Sequence, residues 1–108
     1  MYTANSPAHR VARELEAAGT LVESISYDHS SPSMCVPAEA TLYLTDGTVA
    51  ILSDTSCVDD IGFSAHVIRG GSVRNGTLTM RYKQPVLGDV FDDVVAEVKG
   101  AIAGVIPA

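Results

Sequence analysis

The pair Asp46-Gly47 constrains this chain more than any other feature. It lies between two runs rich in β-branched and aromatic residues, 39–45 and 48–53, and Asp-Gly is a preferred pair for a two-residue type I′ hairpin turn. Such a turn predicts a register in which Thr45 faces Thr48, Leu44 faces Val49, Tyr43 faces Ala50 and Leu42 faces Ile51. Leu42, Leu44, Val49 and Ile51 then share one face as a buried patch.

Two helices flank the β-rich middle. Ser6-Pro7 combines a capping hydroxyl with proline at the first helical position, and Val11, Ala12, Leu15 and Ala18 follow at helical spacing, which predicts a helix over 7–18. Phe91, Val94, Val95, Val98, Ile102 and Val105 recur at steps of three and four, which predicts the main core helix over 88–105. Between them, Leu21–Tyr27 alternates as a strand, Asp28–Pro37 carries loop residues, and 54–62 is an acidic connector with one helical turn capped by Ser56. A second hairpin joins 64–69 to 77–83; Gly70-Gly71 and Asn75-Gly76 both offer turns, and either a long connection or a bulge at the glycines closes it. At 108 residues the chain has room for one core. The expected fold is a single α+β domain over 1–108: a two-layer sandwich with a mainly antiparallel sheet of about five strands and the N-terminal and C-terminal helices on one face.

Composition narrows the function classes. No apolar run is long enough to cross a bilayer, since Glu97 and Lys99 break the best candidate, and the N-terminus lacks the features of a secretory signal, so a cytoplasmic protein is expected. A net charge of −6 disfavours nucleic acid as a partner of the whole surface. The charge is uneven: residues 69–83 carry Arg69, Arg74, Arg81 and Lys83 with no acid, on an otherwise acidic body. This strip suits phosphate or an acidic partner, but basic side chains routinely protect an exposed strand edge, and that is the favoured reading of the strip. Ala96, Gly100, Ala103 and Gly104 form a small-residue face on the last helix, where a second copy or another protein would approach closely.

The chemistry-bearing residues are sparse. The chain contains none of the glycine-rich phosphate loops, nucleophile elbows or paired metal-ligand motifs. His29, Cys35, Cys57 and His66 are a sensible zinc set chemically, but lack the close ligand pair that one turn normally supplies. At Cys57, Asp59 and Asp60 oppose a thiolate. Asp54, Asp59 and Asp60 read as a solvated acidic stretch, and His9 needs no special role.

The expectation is a non-enzymatic protein-binding domain with no cofactor and no metal. The style is that of a phage or mobile-element inhibitor or immunity-type protein, contacting its partner through Arg69, Arg74, Arg81, Lys83, Gly100 and Gly104, with a homodimer also expected. The alternative is a small ligand- or metal-binding domain with its site at the 28–37 and 54–62 loops. Thiol titration should find two free thiols that react slowly in the native protein, and elemental analysis no bound metal; stoichiometric zinc would overturn the binding-domain expectation.

Overall fold

The computed structural model describes residues 7–17, 22–28, 38–57, 60–71, 74, 76–83 and 88–103. Helix α1 (Pro7–Ala17) leads into a five-stranded antiparallel sheet whose spatial order follows the chain. Its strands are β1 (Val22–Asp28), β2 (Glu39–Leu44), β3 (Val49–Cys57), β4 (Asp60–Ile68) and β5 (Thr77–Tyr82). Helix α2 (Asp89–Ile102) follows. Both helices cover one face of this meander, α1 packing on β1, β2 and β3 and α2 on β4 and on α1. The α+β sandwich expected from the periodicities is therefore the architecture. Ser6, Ala18, Leu21, Gly104 and Val105, assigned above to element ends, lie outside the described residues.

The core follows the expected helix stripes. Ala8, Val11, Ala12 and Leu15 are buried on α1, and Phe91, Val94, Val98, Ala101 and Ile102 on α2. They meet Ala40, Leu42 and Leu44 of β2, Ala50 and Leu52 of β3, and Phe63, Ala65 and Val67 of β4. On β1, Val22, Ile25 and Tyr27 pack partly against this core. The odd spacing of Val22 and Ile25 is absorbed by a register shift between Val22 and Ser24, where Glu23 is the additional residue.

The first hairpin corrects the expected register. Tyr43 pairs with Val49, Leu42 with Ala50 and Thr41 with Ile51, one residue away from the I′ register. The loop has three residues, Thr45-Asp46-Gly47, with the Gly47 N–H donating to Leu44 O (3.1 Å) and the Leu44 N–H to Thr48 O (2.9 Å). Gly47 takes φ +88°, the arrangement of a type I turn followed by a left-handed bulge residue. Asp46 Oδ1 accepts the Thr48 N–H at 2.9 Å, and this bond holds the Asp46 carboxyl below its ordinary value of 3.8. Because side chains alternate, the one-residue slip turns β3 over: Ala50 and Leu52 are fully buried while Val49 and Ile51 face away from the helices. Packing explains the choice. The inner face has Ala40, Ala50 and Ala65 in its central strands, and the small side chains let α1 sit close to the sheet, where inward Val49 and Ile51 would hold it away.

The acidic connector is also corrected. Apart from Val58 and Asp59, which lie outside the described residues, 54–62 is strand, and the β3–β4 ladder continues to the Cys57–Asp60 pair. The second hairpin uses the long connection: the Arg69 N–H reaches Gly76 O (3.0 Å) after a 3-10 turn over Arg69–Gly71.

The register yields a direct comparison. In urea denaturation at low micromolar concentration, Leu52→Ala should cost about 2–5 kcal/mol through lost burial and a residual cavity, and Ile51→Ala roughly 1 kcal/mol or less. The reverse order would mean that β3 is paired as the I′ turn requires.

Candidate functional site

Several polar groups singled out by the sequence, or passed over by it, hold the two layers together. Asp54, expected to be solvated, is buried, and its carboxylate accepts the Ala8 N–H through Oδ1 (3.2 Å) and Oδ2 (3.0 Å). It brings negative charge from β3 to the N-terminus of α1, where backbone donors lack helical partners. His9 is fully buried, with Nε2 2.9 Å from Asp28 O and 3.0 Å from Glu39 O. Carbonyls only accept, so Nε2 carries the proton and donates to both, tying α1 to the end of β1 and the start of β2. The His9 ring also stands edge-on to Tyr27, with centroids 5.0 Å apart. These roles had no local signal, because the partners are supplied by other elements.

Of the expected contact residues, Arg69 is committed to the fold. Its Nη1 donates to Ile102 O (3.1 Å) and its Nη2 to Ala101 O, placing a cation on the last carbonyls of α2. Arg74, Arg81 and Lys83 are exposed, with Arg81 on β5 and Lys83 just past its end. Gly100 is half-buried, and a Cβ there would meet nothing within 4 Å, so the described part of the small-residue face is open; Gly104 lies outside the described residues. The expected basic strip is thus split, with Arg69 turned to α2 and Arg81 and Lys83 at the sheet edge.

The register brings together a surface that sequence spacing did not reveal. On the sheet face opposite the helices, the ladder places side chains in rows across all five strands. One row is Ser24, Tyr43, Val49, Ile68 and Thr77, and the next is Ser26, Thr41, Ile51, His66 and Thr79. The third is Asp28, Glu39, Ser53, Ser64 and Arg81. Tyr43 is 44% exposed, the one large hydrophobic side chain so exposed among the described residues; Val49 pairs with it on β3, and Val49, Ile51 in the next row and Ile68 on β4 are partly exposed. Apolar side chains therefore occupy the middle of a face that no described helix covers.

The β4–β5 end of this face holds a cleft of about 370 Å³, bordered by Ser64, His66, Arg81 and Lys83. His66 Nδ1 lies 3.0 Å from Thr79 Oγ1 on the neighbouring strand, which orients the ring. At the cleft's end, a Cβ on Gly62 would fall 2.6 Å from Tyr82 O, so glycine is what lets the β5 backbone approach there. Chemically the cleft offers cationic donors to an anionic group. Among the described residues, no three His, Cys, Asp or Glu side chains gather as a metal would require. His29, Cys35 and Asp59 lie outside the described residues, as does the side chain of Cys57. No described helix is long and apolar enough to cross a membrane.

Behind the cleft, the Tyr82 hydroxyl donates to Glu97 Oε2 and ties β5 to α2, while its ring lies 6.0 Å from that of Phe63. Burial, and then the Glu97 carboxylate, push the Tyr82 phenol above its ordinary value of 10. The folded state then holds this proton more tightly than the unfolded chain does. Stability should stay level up to about pH 10 on this account and fall as pH rises further, because the unfolded chain ionises first. Tyr82→Phe should reduce that alkaline slope in pH-dependent denaturation; an unchanged slope would show that the phenol is not held by the fold.

Comparison with known protein families, with curated proteins and with solved structures finds no match to this chain.

Proposed function

We propose that this chain is a non-enzymatic protein-binding domain of the cytoplasm, and that it binds through the helix-free face of its sheet. The observation that carries this reading is the run of Tyr43, Val49 and Ile68 along one ladder row, with Ile51 beside it. An antiparallel sheet with one solvated face normally alternates apolar inward and polar outward. Here two β-branched residues of the central strand point outward. Contiguous apolar surface rimmed by polar side chains is the usual mark of an interaction site.

The mechanism is preorganisation. Tyr43, Val49 and Ile68 stand on a hydrogen-bonded five-stranded platform, so binding orders little backbone, and a rigid aromatic anchor contributes large contact area at small entropic cost. Arg81 and Lys83 at the β5 edge add a cationic rim that selects partners with carboxylates opposite it and speeds encounter with them. An inhibitor or immunity-type role, in which the domain covers a surface of its target, uses such a face directly. Arg69 has no part in this reading, because its donors already serve α2.

A photo-crosslinking amino acid placed at Tyr43 tests the reading in living cells. Irradiation should give a discrete protein adduct, whereas the same group at Asp93, on the exposed side of α2, should not. Equal labelling from the two positions, or none from either, would overturn it.

A further inference from the structure

The open face is charged asymmetrically from one edge to the other, and this asymmetry is self-complementary. Its polar row begins with Asp28 and Glu39 on β1 and β2, is neutral at Ser53 and Ser64, and ends with Arg81 on β5. Exposed Lys83 extends the basic end.

We propose that the partner on this face is a second copy of the chain, related to the first by a two-fold axis parallel to the strands and close to β3. The proposal rests on the reading that the helix-free face is the binding surface. Such an axis lays β1 of each chain over β5 of the other and leaves each row facing its own counterpart. Asp28 then lies over Arg81 of the partner subunit, twice by symmetry, with Glu39 alongside. In the apolar row Tyr43 lies over Ile68 of the partner subunit and Val49 over its own copy, and in the middle row Ile51 meets Ile51. Acid meets base in the polar row, apolar meets apolar in the other two, and no row brings like charges together.

The other in-plane axis, across the strands through the middle row at the centre of the face, gives the opposite result. It sets the apolar row over the polar one, so that Tyr43 would face Glu39 and Val49 would face Ser53, and it leaves Arg81 without an acid. The charge pattern thus selects one symmetry. Five strands spaced about 4.8 Å apart and three rows about 6.8 Å apart give a footprint of roughly 20 Å by 14 Å between backbone centres, the scale of a small, weak isologous interface with the two sheets about 10 Å apart.

Sedimentation equilibrium on the full chain tests this. The wild type should dimerise in the micromolar range, and Ile51→Lys, which buries two facing charges, should weaken the dimer at least tenfold. Arg81→Glu makes both edges acidic, and the double substitution Asp28→Lys with Glu39→Lys makes both basic, so each should weaken its own dimer by about tenfold or more. Mixed in equal amounts, these two variants should recombine into a heterodimer close to wild-type strength. Asp93→Lys, outside the interface, should leave dissociation unchanged, and circular dichroism should show all variants folded.

A wild type still monomeric at about 200 µM would overturn the proposal, as would a dimer indifferent to Ile51→Lys or charge variants that fail to recombine. The crosslinker at Tyr43 separates the two levels. Self-adducts support the second copy, adducts with only a different protein overturn it while the face keeps its binding role, and the absence of adducts removes both.

Discussion

The parity of the β2–β3 ladder is the constraint on which the rest of this structure depends. A three-residue loop, with Gly47 alone in the left-handed region, pairs Leu42 with Ala50 and so sends Ala50 and Leu52 inward and Val49 and Ile51 outward. A two-residue turn would exchange these sets. Each later strand pairs in register with the one before it, so the outward rows of β4 and β5 are defined relative to this turn. Asp46 supports it locally by accepting the Thr48 N–H, and Thr48 itself is buried. The same parity places Asp54 on the inner side of β3, within reach of α1.

The helices then attach to the sheet by polar ties as well as by apolar contact. Asp54 takes the N-terminus of α1, His9 joins α1 to the carbonyls of Asp28 and Glu39, Arg69 takes the C-terminus of α2, and Tyr82 meets Glu97. Arg10 lies over the Phe91 ring, 4.4 Å from its centroid, and joins the helices to each other. The Asp54, His9 and Arg69 ties satisfy groups that are buried or stand at a helix end, and each of these three fixes an orientation that apolar packing alone leaves loose. The helical layer is thereby closed, and its outer side is acidic, with Glu14, Glu16, Asp89, Asp92, Asp93 and Glu97.

Among the described residues, the other side of the sheet is the one that exposes a large hydrophobic side chain, Tyr43. The functional reading follows from where the turn put Val49 and Ile51 and from what flanks them. The arrangement of Asp28 and Glu39 at one edge and Arg81 at the other gives the face a direction, and only with a direction can one symmetry be preferred to another. The basic residues of the second hairpin, which form one strip along the chain, separate in space into a structural cation at α2 and a cationic rim on the open face.

The sequence by itself determined the two helices, the run of strands between them and their order, but not that β3 and β4 extend into 54–62. The helix stripes Val11, Ala12, Leu15 and Phe91, Val94, Val98, Ile102 are local periodicities, and the hairpin between β2 and β3 follows from Asp46-Gly47, because turn chemistry and side-chain spacing act over a few residues. Tertiary structure decided which face of β3 is inside, since loops of two and three residues both suit Asp-Gly and the packing of α1 against Ala40, Ala50 and Ala65 selected between them. It likewise made Asp54 a helix cap and His9 a buried tie, with Asp54 brought from 46 residues away in the chain to Ala8. The open face belongs to this second class: its rows join residues from five strands, and no local pattern contains them.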